Sequence, residues 1–237
     1  MPAIRLDKYL GDLGLFGRKE SREAIRGGRV AVDGQTVRRP ETKLDPETAS
    51  VSLDGRPLQY KRFRTFMLDK PEGVVTATED RSQRTVLDLL PEELRALGLF
   101  PVGRLDRDTT GLLLLTNDGD FAHRVISPKS AVEKRYHALV EGEPDEADVE
   151  AFRAGLVLAD GTRCLPARLE LCGGGACIVT VTEGKYHQVK RMLASRGKPV
   201  KALRRLSIGG LALPENSHPG LLRELSENDL CTVFIDR

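Results

Sequence analysis

The spacing of apolar side chains predicts two short helices near the start of the chain. Over residues 5–15, apolar side chains recur on one helical face. These side chains are Leu6, Tyr9, Leu10 and Leu13. A second helix is predicted over residues 21–26, and the pair Gly27-Gly28 would end it as a helix C-cap.

Strand-like alternation follows these helices and is interrupted twice by an Asp-Gly pair. Asp33-Gly34 lies within "RVAVDGQTV" and Asp54-Gly55 lies within "VSLDGRPL"; Asp-Gly is a strong signal of a β-hairpin turn. Residues 1–59 are therefore predicted to form a small helix–helix–hairpin domain. The basic stretch "KRFR", residues 61–64, is expected to link it to the rest of the chain.

A second domain is predicted over residues 60–237, where strand patterns outnumber helical ones. The stretches "TFMLD", "EKRYHALVEG" and "ACIVTVTEG" predict strands, whereas "EADVEAFRA" and "YHQVKRMLASRG" predict helices. Because the connections are short, we expect an α+β fold with a mixed, largely antiparallel sheet. The run Leu112–Leu115 predicts a strand that is buried on both faces.

Composition narrows the class of protein. The chain has 237 residues, 40% hydrophobic side chains and a formal net charge of +2, which is typical of a soluble protein with a sizeable core. No apolar run reaches the length of about 18 residues that a transmembrane helix needs. The N-terminal sequence "MPAIRLDKYL" contains no apolar signal-peptide core, so a cytoplasmic location is expected.

The cysteines give little support for a metal site. Their spacing does not match a zinc ribbon. A site built from Cys172, Cys177 and His187 is conceivable, but the irregular ligand spacing disfavours it. Reduced, partly buried thiols and no metal are the expected state. The four cysteines are Cys164, Cys172, Cys177 and Cys231.

Positive charge is concentrated in two segments, one in each predicted domain. Residues 17–29 carry five basic residues against two acids. Residues 184–210 carry eight basic residues and no acid. One such run is usually a solvated surface, but two runs indicate a polyanion bound across both domains. Aromatic residues are only 5%, which favours recognition of folded RNA over stacking along a single strand.

The stretch "GRLDRDTTGLLLL" combines an acid with two flanking arginines, Arg104 and Arg107. Asp106 between them is expected to stay ionised because nearby cations favour the carboxylate. An ionised Asp can attack a sugar or base carbon, as in retaining glycosidases. No second carboxylate stands out as a general acid, which hints at chemistry without added water. Thr109, Thr110 and Gly111 are expected to end the loop as a hinge.

These motifs resemble those of the RNA pseudouridine synthases, and the resemblance extends over nearly the whole chain. The stretch "GRLDRDTTGLLLLTNDG" is similar to the signature loop of that family, and "RLDKYL" with "SREAIRGGRVAVDG" is similar to an S4-like RNA-binding domain. Further blocks resemble the RsuA group, which modifies small-subunit ribosomal RNA; they are "LDKPEG", "HRVISP", "EKRYHALVEG" and "EGKYHQVKRM".

The resemblance implies an isomerase that converts uridine to pseudouridine without a metal or an organic cofactor. Asp106 matches the essential aspartate, which either attacks the sugar or removes a ribose proton. Tyr136 matches the tyrosine that stacks on the flipped base, and Lys190 matches the basic residue that pairs with the aspartate. Arg104 would help to hold the target nucleotide out of its stack. Arg107 occupies a variable position and is assigned no catalytic role.

The expected substrate is a uridine of 16S rRNA in an immature small subunit, and the enzyme is expected to be a monomer. Phosphate contacts are expected from basic residues of the N-terminal domain. They are Arg5, Arg18, Lys19, Arg22 and Arg26. Two alternatives stay open: a synthase for large-subunit rRNA or tRNA, and a noncatalytic rRNA-binding assembly factor.

Overall fold

The computed structural model describes residues 3–235 and divides into two compact units. The first unit contains the residues up to Arg64 together with Leu89–Leu99, and the second contains Thr65–Asp88 and the residues from Phe100 onward. Within the described residues, no helix is long and apolar enough to cross a membrane.

The first unit contains three helices and six short strands among its described residues. The helices are α1 (Leu6–Asp12), α2 (Arg18–Arg26) and α3 (Glu92–Arg95). The strands are β1 (Ile4–Arg5), β2 (Val30–Val32), β3 (Gln35–Thr36), β4 (Lys43–Leu44), β5 (Val51–Leu53) and β6 (Arg56–Leu58).

Both Asp-Gly hairpins are confirmed. Asp33 and Gly34 have φ angles of 50° and 78° between β2 and β3, and Asp54 and Gly55 have φ angles of 48° and 77° between β5 and β6. Such left-handed pairs match the twist of a two-residue hairpin turn, and aspartate and glycine adopt them at low cost. The four strands of the two hairpins form one sheet in the order β3-β2-β5-β6, and β1 pairs with β4 in a second sheet.

The boundary between the units differs from the one predicted at residue 59. Tyr60 stacks on Tyr9 with ring centroids 4.9 Å apart and donates a hydrogen bond to Asp12 at 2.8 Å. Arg64 Nη1 donates to the carbonyl of Leu13 at 2.7 Å. These long-range contacts explain why the first unit extends to Arg64, at the end of "KRFR". The segment Leu89–Leu99 also joins that unit, which sequence order could not indicate.

The second unit contains four helices and nine strands among its described residues. The strands are β7 (Thr65–Lys70), β8 (Phe100–Val102), β9 (Thr109–Thr116), β10 (Lys134–Val140), β11 (Arg168–Gly173), β12 (Ala176–Val181), β13 (Val200–Ile208), β14 (Leu211–Ala212) and β15 (Leu222–Glu224). The helices are α4 (Gly119–Ile126), α5 (Glu146–Ala154), α6 (Gln188–Ser195) and α7 (Glu227–Thr232).

One mixed sheet organises this unit, as predicted. Its order is β11-β12-β10-β13-β9-β7-β15, with β14 on β13 and β8 on β9. The pairing of β13 with β9 is parallel, and the other pairings are antiparallel. The parallel pair joins two antiparallel halves, so β13 lies between the strand that carries Tyr136 and the strand that follows Asp106.

The leucine run is buried on both faces, as predicted. Leu112, Leu113, Leu114 and Leu115 are each 0% exposed. Successive side chains of a strand point to opposite faces, so both faces of β9 must be covered. Leu112 and Leu114 belong to an apolar cluster that also contains Phe121 and Val125 of α4. This packing gives the loop before β9 a rigid base.

Gly111 is part of β9 and is not the hinge that the sequence predicted. Its φ angle is +102°, and it pairs with Arg205 across the parallel strands. A Cβ atom at this position would lie 2.2 Å from the carbonyl oxygen of Arg205. Glycine is therefore required here for the close approach of two backbones, and this contact restricts the backbone instead of freeing it.

Replacing Gly111 with alanine is expected to lower the free energy of unfolding by roughly 3 kcal/mol, since backbone strain and overpacking add. Gly161→Ala is a matched control because Gly161 also has a positive φ, +82°, but has open space around its Cβ position. It should cost only about 1 kcal/mol. Urea unfolding of both variants measures the difference. Equal losses would show that the contact with Arg205 is unimportant.

Candidate active site

The loop that carries Asp106 connects β8 to β9 and is fastened at its middle. Leu105, the preceding residue, is 5% exposed. The hydroxyl of Thr76 donates to the Leu105 carbonyl at 2.7 Å and accepts from the Leu105 amide at 3.2 Å. Both backbone groups of Leu105 are thus satisfied by one side chain, which holds the loop directly before the carboxylate.

A buried lysine fastens the end of the same loop. Lys70, the last residue of β7, is 0% exposed. Its ammonium group donates to the carbonyls of Pro71 at 2.9 Å, Thr109 at 3.0 Å and Arg107 at 3.3 Å. Burial lowers the pKa of Lys70 to about 8, against the opposing charges of Asp108 and Asp106. Three acceptors need three N–H donors, which only the protonated amine supplies.

Asp106 is paired with Lys190 of α6. The distance from Lys190 Nζ to Asp106 Oδ2 is 3.0 Å, and Lys190 also contacts Asp108 Oδ1 at 2.5 Å. Burial lowers the pKa of Lys190, but hydrogen bonds with Asp108 and Asp106 outweigh that effect, so its pKa lies above the ordinary value. The same contact holds the pKa of Asp108 below its usual range. The structure therefore pairs two predicted site residues, Asp106 and Lys190, and the lysine of this pair stays charged.

A second side chain approaches the other oxygen of Asp106. His187 Nε2 lies 3.4 Å from Asp106 Oδ1. His187 occupies the N-cap position of α6 with φ 47°, and its side chain makes no capping hydrogen bond. Sequence reasoning missed this role, as it missed Asp108. The signal was present, because His187 and Lys190 are three residues apart and so lie on one face of a starting helix.

The arginines that flank Asp106 in sequence are not the side chains that pair with it. Asp106 pairs with side chains of α6, and Arg107 instead donates through Nε to the Gly73 carbonyl at 3.3 Å. Arg104 is exposed to solvent. The pairing of Asp106 with Lys190, and not with an adjacent arginine, is the one that the family resemblance implied.

Tyr136 is half-buried on β10 and contacts a buried arginine of β13. Arg205 is 4% exposed; its Nη1 donates to the Tyr136 hydroxyl at 3.4 Å, and its Nε donates to the Leu112 carbonyl at 2.7 Å. Arg205 therefore connects β10 to β9, the strand that follows Asp106. Sequence reasoning counted it only as part of a basic run. Burial gives it a positioning role that charge counting cannot reveal.

A second buried lysine lies on β10. Lys134 is 9% exposed and donates to the Thr182 carbonyl at 3.3 Å. Burial lowers its pKa to about 8, and the charge of Arg205 contributes in the same direction. The ammonium group is thus only weakly compensated by its surroundings.

The basic residues predicted to bind RNA lie in the first unit with different partners. Arg5 and Arg22 share the carboxylate of Asp7, at 2.9 Å and 3.2 Å. Lys19 lies 3.9 Å from Glu23. Arg18 and Arg26 are exposed on α2. All five side chains are accessible. The exposed Lys19–Glu23 pair is weak enough to be exchanged for a phosphate contact.

Within residues 3–235, no cluster of His, Cys, Asp or Glu has the geometry to hold a metal ion. The four cysteines are free. Cys164 and Cys177 are buried, which agrees with the prediction, whereas Cys172 and Cys231 are exposed and do not. Burial raises the pKa of Cys177 to about 11.

The structure presents a paired carboxylate on a fastened loop at the middle of a mixed sheet, and comparison with known proteins assigns the family. The RNA pseudouridylate synthase family matches residues 64–195, more than half of the chain, and the S4 domain matches residues 4–49. The chain belongs to the RNA pseudouridylate synthase family, whose members are isomerases.

Similar proteins cover the chain from end to end. It is 43% identical over 235 residues to the "Ribosomal small subunit pseudouridine synthase A" of Escherichia coli (strain K12), covering 97% of this chain and 100% of that one. It is 42% identical over 232 residues to the "Uncharacterized RNA pseudouridine synthase YtzG" of Bacillus subtilis (strain 168), covering 96% and 97%. A solved pseudouridylate synthase is similar with a TM-score of 0.69 and 33% identity, over 97% of this chain and 99% of that one.

Replacing Lys70 with methionine is expected to lower the free energy of unfolding by at least about 2 kcal/mol, since buried carbonyls would lose their donor. It should also lower kcat, because the loop before β9 would loosen. Lys201→Met, at an exposed position of β13, is the control and should stay within about 0.5 kcal/mol of wild type. Urea unfolding and single-turnover kinetics measure the two effects. An unchanged stability would contradict the role of Lys70.

The lowered pKa of Lys134 predicts a pH-dependent stability. Between pH about 8 and 10.5 the unfolded chain keeps a proton that folded Lys134 has released, so the free energy of unfolding of the wild type should rise with pH. Lys134→Met removes this group. The difference between wild type and variant should change by roughly 1–3 kcal/mol across that window and stay constant below it. Parallel unfolding curves from pH 7 to 10 would contradict the prediction.

Proposed function

We propose that this protein isomerises a uridine of small-subunit (16S) rRNA to pseudouridine, with Asp106 as the essential group. The observation that carries the proposal is the 3.0 Å pair of Asp106 with Lys190 on a loop fastened at both its middle and its end. The substrate is supported by the relatives named as small-subunit synthases, at 41–43% identity over almost the whole chain.

The reaction exchanges one bond for another within the same nucleotide. The bond between ribose C1′ and uracil N1 breaks, the uracil turns, and C5 bonds to C1′ while its proton is transferred to N1 through a base. Asp106 either attacks C1′ or removes the proton from C2′ to give a glycal; both need a carboxylate held in place. Lys190 holds it through Oδ2, and no water or cofactor enters the balance of atoms.

Tyr136 is proposed to stack on the uracil and to take part in removing the C5 proton. Its hydroxyl receives a hydrogen bond from Arg205, which fixes the direction in which the phenol points. The position of Tyr136 on a strand two places from β9 supports this role, because strands position side chains more rigidly than loops do.

RNA binding is proposed to use both basic segments. Arg104 is exposed two residues before Asp106, which suits a group that holds the target nucleotide out of its stack. The accessible basic side chains of the first unit are proposed to bind phosphates, which sets register and orientation but not sequence. They are Arg5, Arg18, Lys19, Arg22 and Arg26.

The cellular setting follows from the substrate. Small-subunit rRNA is assembled with ribosomal proteins in the cytoplasm, and a target uridine in this rRNA is most accessible before assembly is complete. We therefore propose an immature small subunit as the natural substrate, met in the cytoplasm by a monomer.

Asp106→Asn is expected to lower turnover by about 10²–10⁴-fold, the usual share of one catalytic group, without loss of RNA affinity. Lys190→Met should lower kcat as well, and Lys190→Arg should keep part of it because the cation remains. Tritium release from uridine labelled at C5 measures turnover on naked 16S rRNA, an immature small-subunit particle and 23S rRNA.

The choice of substrates separates the alternatives. Release from the small-subunit substrates, lost in Asp106→Asn, is the expected result. Release from 23S rRNA alone would replace the proposed substrate. No release from any RNA, with tight binding intact, would favour an assembly factor.

A further inference from the structure

Tyr186 is an aromatic side chain that the fold leaves in solvent. It is 75% exposed, more than any other large apolar side chain in residues 3–235. It lies in the turn before α6, one residue from His187 and four from Lys190. Exposed apolar residues scattered singly are normal, so exposure alone carries no function. Its surroundings distinguish this one.

The Tyr186 ring stacks on the imidazole of His187. The ring centroids are 3.8 Å apart and the planes are inclined by 18°. His187 in turn reaches Asp106, with 3.4 Å between Nε2 and Oδ1. The three side chains therefore form a continuous row that begins at the carboxylate and ends at an exposed aromatic face. If a nucleotide is held at Asp106, the adjacent nucleotides of the RNA strand would lie close to the exposed face of Tyr186.

The turn that carries this row is held rigidly. Glu183 accepts hydrogen bonds from the Leu165 amide at 2.9 Å, from Gln188 Nε2 at 2.7 Å and from Lys185 Nζ at 2.6 Å. The side-chain oxygen of Gln188 accepts from the Lys185 amide at 2.9 Å. An exposed ring on an ordered turn loses little conformational entropy when a ligand covers it.

The backbone at His187 supports a functional reason for this arrangement. Its φ of 47° and ψ of 35° are uncommon for a residue other than glycine, and such strain tends to persist at ligand sites. The conformation does not serve to cap α6, since the side chain makes no capping bond. It directs the imidazole between Asp106 and Tyr186 instead.

We propose that Tyr186 stacks on a nucleobase next to the target uridine, with His187 as the spacer between that base and Asp106. This proposal rests on the proposed function, because it places the target nucleotide at Asp106. Bases stack on aromatic side chains in a sequence-tolerant way, and the basic segment 184–210 supplies charge for the adjoining phosphates. Tyr186 is thus a positioning residue, which holds the RNA without touching the reacting atoms.

Tyr186→Ala is expected to raise KM about tenfold on a small-subunit rRNA fragment while kcat stays within about twofold. Tyr186→Phe should behave as wild type, and Tyr186→Trp should lower KM, because the ring and not the hydroxyl makes the contact. Leu171→Ala is the control, because Leu171 is also an exposed apolar residue but lies on β11; it should change neither KM nor kcat. The exposure of Tyr186 makes unfolding of these variants unexpected, and urea curves verify it.

A spectroscopic measurement tests the stack directly. The rRNA fragment carries 2-aminopurine in place of the base beside the target uridine, and stacking quenches its fluorescence. The inactive Asp106→Asn variant is expected to quench the fluorescence when it binds this RNA. Loss of that quenching in the double variant Asp106→Asn/Tyr186→Ala would support the proposal.

The outcomes separate the two proposals. Wild type that releases no tritium from any RNA would overturn the proposed function. Active wild type with an unchanged KM and unchanged quenching in the Tyr186→Ala variants would overturn the stack alone. A Phe variant as weak as the Ala variant would also overturn it, since the hydroxyl would then be the binding group.

Discussion

The ammonium group of Lys70 is the constraint on which the proposed active site depends. It is buried where three backbone carbonyls converge, two of them in the segment that follows Asp106. Without a donor these oxygens would be buried and unpaired, which is costly in a nearly dry interior. The lysine therefore fixes the path of the chain from the loop into β9. Thr76 fixes the same loop one residue before Asp106, so the carboxylate lies between two fastened points.

A second constraint brings the partners of Asp106 to it. β9 and β13 run parallel and approach so closely at Gly111 that only glycine fits beside the Arg205 backbone. This register lets Arg205 donate hydrogen bonds to both the Leu112 carbonyl and the Tyr136 hydroxyl. Helix α6, which directly precedes β13 in the chain, presents Lys190 and His187 to the loop. The proposed chemistry needs a carboxylate, a cation and a phenol from three separate elements, and the central strands hold those elements in register.

Much of the site could be predicted from sequence, because its residues lie in distinctive blocks. Asp106, Tyr136 and Lys190 were all singled out by the resemblance, and the structure joins the first and third directly. Lys70, Arg205 and His187 were missed as functional groups. The roles of Lys70 and Arg205 come from burial, which no local pattern reveals, whereas His187 could have been found from its spacing of three residues to Lys190.

Local spacing and turn residues were enough to predict the two-domain plan, the Asp-Gly hairpins, the buried leucine strand and the mixed sheet, because such patterns have few alternative structures. The sequence motifs were also enough to indicate the family. The folded structure was needed to show that "KRFR" and the segment Leu89–Leu99 belong to the first unit, that Gly111 is a contact and not a hinge, and that Asp106 faces α6. These are pairings between residues distant in the chain, whose free energy arises only when the complete fold brings them together.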